Sequence, residues 1–328
     1  MKRLALVAAA LVGLSACQDA TQPSVPTAPN ASEVGINASN NLLARVDVNG
    51  NLVFGNRVTS VSKLGPGQYE VTFNRNMTPC AYVATTNNSN TQAFQVFTAS
   101  GHLSINGVYI ETKNQGGGLT DAPFNLVATC GGTGIRYAVV DYNGGLARST
   151  AGTTLSGSGS GTYTVTFTSA VSTCAFLATV ADPGNGLVFN PSGVYTANGA
   201  TANQVYVETK NPGGGLQAGV PFHLAVVCTG TNSKVIVVKA SGAKARGSTG
   251  TSSTRPSTGN YSVNLGRSLA ACAVVATRGS INNGVPFNPA TVELTPGVNA
   301  NSTGVQVREL LFFGGNLTNL PFHAAAVC

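Results

Sequence analysis

Three stretches that differ by a few letters, PFNLVATC, PFHLAVVC and PFHAAAVC, end at Cys130, Cys228 and Cys328 of a 328-residue chain. Each closes a unit of the same build. ARVDVNGNLVFG from Ala44, YAVVDYNGGLARS from Tyr137 and IVVKASGAKARG from Ile236 open the units, GQYEVTF, GTYTVTF and GNYSVNL follow, and CAYVAT, CAFLAT and CAVVAT come next. Self-similarity at a period of about 90 residues predicts three small tandem domains, 42–130, 136–228 and 234–328, each with its own core. The linkers GGTGI and TGTNS span at most about 17 Å when fully extended, so neighbouring units lie close together. A linear string and a compact pseudo-trimer both satisfy that limit.

The pattern inside a unit is that of strands. In GTYTVTF, Tyr163, Val165 and Phe167 point one way and the threonines point the other, and Tyr69, Val71, Phe73 and Tyr261, Val263, Leu265 repeat the alternation. Such alternation marks a half-buried antiparallel strand. Further strands are expected at VYIET, VYVET and VQVRE. With 40 Gly, 15 Pro and almost no helix signal beyond the N-terminus, the fold class is all-β: three tandem antiparallel, jelly-roll-like β-sandwiches. The residues from 18 to 41 carry three prolines and little patterning, and read as a flexible tether.

The N-terminus is a targeting segment. Met1-Lys2-Arg3 is positive, and Leu4 to Leu14 is an apolar run too short to span a bilayer. The run ends in Leu14-Ser15-Ala16-Cys17, which resembles the lipobox of bacterial lipoproteins. That resemblance implies cleavage after residue 16, acylation of Cys17 and a membrane-lipid partner, with an unlipidated secretory protein as the alternative. One acyl chain holds only marginally, and two or three anchor stably. Gln18 stands where inner-membrane lipoproteins of this family often carry Asp, which points to the outer membrane or cell surface. Loss of Lys2 and Arg3 takes the net charge from +7 to +5. That excess suits acidic polysaccharide or lipid headgroups. It is scattered and lacks any nucleic-acid-binding motif.

With Cys17 set aside, six cysteines remain, two per unit at matching positions. Export to an oxidising compartment and repeat symmetry predict Cys80–Cys130, Cys174–Cys228 and Cys272–Cys328 as disulfides. A closed loop of about 50 residues contributes roughly 4 kcal/mol on the chain-entropy argument. His223 and His323 each stand five residues before a cysteine, but an odd separation puts them on the opposite strand face, about 17 Å away. A His-Cys site is thereby excluded, and Asn125 at the matching place in the first unit shows that imidazole is not required. The histidines read as bystanders on the face away from the core. No metal or cofactor site is implied, since no C-x-x-C or H-x-x-x-H pair occurs.

Catalytic constellations are sparse. Glu111 and Glu208 recur, with Arg308 placed at the same position of the third unit, and read as solvent-facing strand charges without a partner carboxylate. No G-x-S-x-G elbow occurs, and GGGLQA from Gly213 precedes a strand rather than the helix a dinucleotide site needs. The least regular segments contain AFQVF, LVFNP and VPFNP. Loops on rigid sandwiches are where binding resides, so Phe94, Phe189, Asn190, Tyr195, Phe287 and Asn288 are candidate ligand-loop residues, with core packing as the plainer reading of the aromatics.

The G-x-Y-x-V-x-F motif resembles a strand of C1q-type jelly-rolls and of some phage tail-fibre tips, and the whole unit resembles modules of uncharacterised exported bacterial proteins. The first resemblance implies that three units can pack around a threefold axis within one chain. Together these readings point to a non-enzymatic, exported envelope lipoprotein acting in adhesion, recognition or envelope structure, with another surface protein as a further possible partner class. A secreted hydrolase or inhibitor with an unrecognised loop site is the alternative. Cys17→Ser is expected to release the protein from membranes, and persistence in the detergent phase on Triton X-114 partitioning would refute lipidation.

Overall fold

The computed structural model describes residues 41–87, 93–131, 134–157, 160–186, 192–283, 289–309 and 315–328. All regular structure among them is β. The first eight strands are β1 (Leu42–Val46), β2 (Leu52–Asn56), β3 (Val58–Gly65), β4 (Gln68–Phe73), β5 (Ala81–Thr86), β6 (Phe94–Ser100), β7 (Gly107–Asn114) and β8 (Phe124–Thr129). Next come β9 (Ile135–Val140), β10 (Leu146–Ser149), β11 (Thr154–Ser156), β12 (Thr162–Thr166), β13 (Ala175–Val180), β14 (Gly193–Asn198), β15 (Gln204–Lys210) and β16 (Phe222–Val227). The last are β17 (Ser233–Val238), β18 (Lys244–Gly247), β19 (Ser252–Ser257), β20 (Asn260–Asn264), β21 (Ala273–Arg278), β22 (Ala290–Pro296), β23 (Ser302–Glu309) and β24 (Phe322–Val327).

These strands form six antiparallel four-stranded sheets. In the first eight, β2-β1-β8-β5 lies over β3-β4-β7-β6, around a core that includes Leu42, Tyr69, Phe73, Tyr82, Ile110 and Phe124. Two further sandwiches repeat the order, β10-β9-β16-β13 over β11-β12-β15-β14 and β18-β17-β24-β21 over β19-β20-β23-β22, around their own cores. One disulfide closes each sandwich: Cys80–Cys130, Cys174–Cys228 and Cys272–Cys328. The glycine opening each G-x-Y motif, Gly67, Gly161 or Gly259, has positive φ. A Cβ there would collide with the chain that follows the long β7, β15 or β23 strand, so only glycine makes this turn.

A fourth apolar cluster ties the sandwiches together. Leu43, Val83, Val127, Leu177, Ala225, Val227, Val275, Ala325 and Val327 are buried against one another, and all lie on the face of the first-named sheets that points away from its own sandwich core. The inner strands of those sheets are thus covered on both faces, while β2, β10 and β18 stay partly exposed. β5, β8, β13, β16, β21 and β24 are buried at every position, whereas β12 and β20 alternate. The units therefore form a compact ring about a pseudo-threefold axis, not a string.

Closure of the ring solves an edge problem. β5, β13 and β21 each end their sheet, and their outward N–H groups lack a strand partner. A buried, unpaired N–H costs about 1–3 kcal/mol. Neighbouring side chains cap them in cyclic order. Thr179 Oγ1 accepts from Ala84 N at 2.9 Å, Thr277 Oγ1 from Ala178 N at 2.9 Å and Thr85 Oγ1 from Ala276 N at 2.8 Å. Each hydroxyl also donates to the carbonyl of the same residue, at 3.3, 3.1 and 2.9 Å. Just past these strands, parallel bridges join Thr98 to Ala181, Thr196 to Gly279 and Asn87 to Leu294.

Thr277→Val should destabilise the protein by about 1–3 kcal/mol, because a methyl group leaves Ala178 N–H buried and unmet. Thr277→Ser should stay near wild type in the same urea titration. Equal midpoints for the two variants would show that the hydroxyl contributes nothing.

Candidate functional site

Along the axis, side chains of the three edge strands stack in levels. Ala81, Ala175 and Ala273 form one level, Val83, Leu177 and Val275 the next, and Thr85, Thr179 and Thr277 the third; all nine are buried. Beyond the threonines lies a cavity of about 80 Å³ lined by residues 84–86 and 94–96, 178–180 and 192–194, and 276–278 and 290–292. The lining is six matching positions from each sandwich, as the pairings Thr86↔Phe124, Val180↔Phe222 and Arg278↔Phe322 establish for the edge strands. Thr86 and Phe94 flank segment 88–92, Ser192 follows 187–191, and Ala290 stands just after 284–288.

This end of the molecule is opposite the one where the chain enters β1. β1 starts at Leu42, paired with Ala128 beside Cys130. β5 leaves Cys80 and reaches the cavity at Thr86, about 20 Å further along the strand.

The cavity lining mixes apolar with polar side chains and is unevenly charged. Thr86, Val180 and Arg278 occupy the same strand position, so one sandwich alone contributes a cation there. Arg278 is 4% exposed. Its Nη1 donates to Pro321 O at 2.9 Å, and its Nε has no partner. Burial lowers the guanidinium to about 10, which leaves it charged at neutral pH. Among the described residues no ion pair involves it. Gln95 Oε1 and Thr291 Oγ1, also in the lining, are buried without a hydrogen bond. A larger concavity of about 360 Å³ between the second and third sandwiches is lined by Ser172, residues 198–202, Gln204, Asn282 and Asn283. It offers no charged or aromatic side chain.

Of the candidate loop residues, Phe189, Asn190, Phe287 and Asn288 lie outside the described residues. Phe94 is 5% exposed at the start of β6 and lines the cavity. Tyr195 is 1% exposed. Its hydroxyl accepts from Ala290 N at 3.2 Å, so the ring is packed between two sandwiches and is not free to stack on a ligand.

Three readings of the sequence need correction. His223 and His323 do face away from their own cores, but they are no bystanders. Each is fully buried against the next sandwich, His223 Nδ1 accepting from Tyr82 N and His323 Nδ1 from Phe176 N, both at 2.9 Å. Asn125 closes the third interface by donating from Nδ2 to Val274 O at 2.8 Å. Glu111 and Glu208 are likewise not solvent-facing: they are buried and pair with Lys113 at 2.7 Å and Lys210 at 3.0 Å. Nor does Arg308 match these glutamates. Tyr69↔Ile110, Tyr163↔Val207 and Tyr261↔Val305 are equivalent pairs, so Gln306 takes the glutamate position and Arg308 the lysine position. The missing acid is supplied across the strand pair by Glu293, opposite Gln306 and 3.7 Å from Arg308. Its carboxylate also accepts the N–H of Phe94 in the first sandwich.

Comparison with protein-family models, with curated proteins and with solved structures finds no match.

Burial holds His323 down at about 3, with Arg246 adding to the effect, and pushes His223 well below the usual histidine value. Between those values and pH 6.5 the unfolded chain binds more protons, so stability rises with pH by about 1.4 kcal/mol per unit for each histidine. Glu293 acts in the opposite sense. Desolvation raises it to about 7 against the hydrogen bond from Phe94 and the charge of Arg308, so the folded state holds the extra proton and loses stability as pH rises from 4.5. Wild-type stability should therefore climb from pH 4.5 to 6.5 with a net slope of about one histidine. In His223→Asn/His323→Asn the slope should turn negative, as read from urea midpoints across that window. An unchanged positive slope would contradict the assignment.

Proposed function

We propose that the chain is a non-enzymatic, exported lipoprotein, held in the outer membrane or at the cell surface through acylated Cys17, whose ring of sandwiches presents a recognition tip to an acidic surface polymer. The three disulfides are consistent with export to an oxidising compartment. The observation that carries the reading is polarity along the axis. The chain enters β1 at the disulfide end, and the cavity with the flanks of segments 88–92, 187–191 and 284–288 lies at the other. A molecule anchored at one end and recessed at the other holds the recess away from the membrane. The +5 balance after loss of Lys2 and Arg3 favours an acidic partner.

A variant carrying Phe189→Ala, Asn190→Ala and Phe287→Ala tests the tip, since all three residues fall in segments whose described flanks border the cavity. Retention on isolated envelope and acidic-polysaccharide fractions should fall several-fold with the melting midpoint unchanged. Wild-type retention by the variant would sink the tip reading.

A further inference from the structure

We infer that the axial cavity is an oxyanion site in which Arg278 binds a carboxylate or phosphate group. The inference rests on the tip reading above and gives it a ligand chemistry. The cavity draws the same six positions from every sandwich, yet its polar content is not threefold. Arg278 stands where the other two sandwiches have Thr86 and Val180. A ring assembled from three identical chains would put three guanidinium groups around so small a space. Fusion into one chain allows a single cation.

That cation is unbalanced. It is 4% exposed, it has one protein hydrogen bond, to the Pro321 carbonyl, and no carboxylate among the described residues pairs with it. A buried charge without a counter-charge is costly, and an anion in the cavity supplies what the protein does not. Two other residues of the lining carry unpartnered polar atoms. Arg278 Nε and Thr291 Oγ1 are buried without partners, as is Gln95 Oε1, and a half-turn of that amide presents its NH₂ in the same place. Size selects the group: about 80 Å³ holds a few heavy atoms, whereas whole ligands occupy roughly 300 Å³ or more. The cavity therefore takes the charged group of a larger molecule, such as the carboxylate of a uronic acid or a polymer phosphate. A guanidinium fork suits both.

The test is a titration of the exported, disulfide-bonded protein with sodium glucuronate and with sodium phosphate, in sodium chloride at constant ionic strength, with glucose as the neutral control. Calorimetry and melting midpoints are read together. Glucuronate or phosphate should bind and raise the midpoint, glucose should not, and the stronger titrant identifies the source of the group. Arg278→Met should weaken binding about 10–100-fold without lowering the midpoint in chloride alone, because it removes an unpaired buried charge. Thr291→Val, which keeps shape and loses one hydroxyl, should weaken binding roughly 2–10-fold and carries the test if the arginine variant does not fold. No response to either anion, or an equal response in wild type and variants, would overturn the site. Anion binding without retention on envelope fractions would leave the site standing and sink the adhesion reading. Retention without anion binding would do the reverse.

Discussion

Everything in this fold hangs on how three edge strands are finished. β5, β13 and β21 would each expose a row of N–H and C=O groups, the template by which sheets aggregate. Among the described residues the chain neither adds another strand nor covers the edge with a loop. It turns the edges inward on one another and satisfies them with threonine, histidine and asparagine side chains from the next sandwich. Buried N–H groups of a sandwich are met only while its neighbour is in place, so the three cores are coupled, although each has its own disulfide and apolar cluster. The apolar cluster on the axis acts in the same direction, since separation would expose the outer faces of three sheets at once.

The coupling tolerates change provided that function at each contact is preserved. Arg148 and Arg246 reach back to the carbonyls of Cys80 and Cys174. In the first sandwich that strand position is Phe54, and its cross-strand partner Arg45 supplies the guanidinium instead, to Leu269 O at 3.1 Å. The buried ion pairs show the same exchange, with Glu293 replacing an acid that the third sandwich lost two positions before Arg308. In both cases the charge sits on the strand paired with the one that carries it in the other sandwiches. Repeats within one chain can drift in this way because each copy meets its own neighbour and not an identical one.

That drift explains what the sequence did and did not disclose. The β class, the disulfide register and the alternating strands were legible because they repeat almost unchanged: Tyr69, Tyr163 and Tyr261 all pack inward beneath the same glycine turn. The ring was only half legible. The histidines of PFHLAVVC and PFHAAAVC face away from their own core, which by itself reads as a bystander position, but Ala225, Val227, Ala325 and Val327 on that same face are apolar and fully buried. Two-sided apolarity in a strand signals burial on both faces, and here it was the available clue to a neighbour. The third ion pair was not legible, since VQVRE resembles VYVET best in a register displaced by two residues from the one the strand pairing adopts. A spacing of two keeps the same residues on the same face, so pattern alone does not separate the two alignments.

The axis is where symmetry and its loss have different consequences. Below the cavity, the alanine, valine/leucine and threonine levels are nearly threefold, as close packing around an axis requires, because each side chain meets two near-copies of itself. At the cavity this restraint lapses: Thr86, Val180 and Arg278 are unlike in size and charge, and Phe94, Ser192 and Ala290 are unlike again. Drift there is not compensated by a swap across the strand pair, in contrast to Arg45 with Phe54 or Glu293 with Gln306. Arg278 is buried without a carboxylate partner among the described residues, and more deeply than Arg45, Arg148 and Arg246, which likewise donate to carbonyls and pair with no acid. A ligand carrying the opposite charge accounts for it, and a single-chain ring is the architecture that lets one sandwich carry such a group without two copies to repel it.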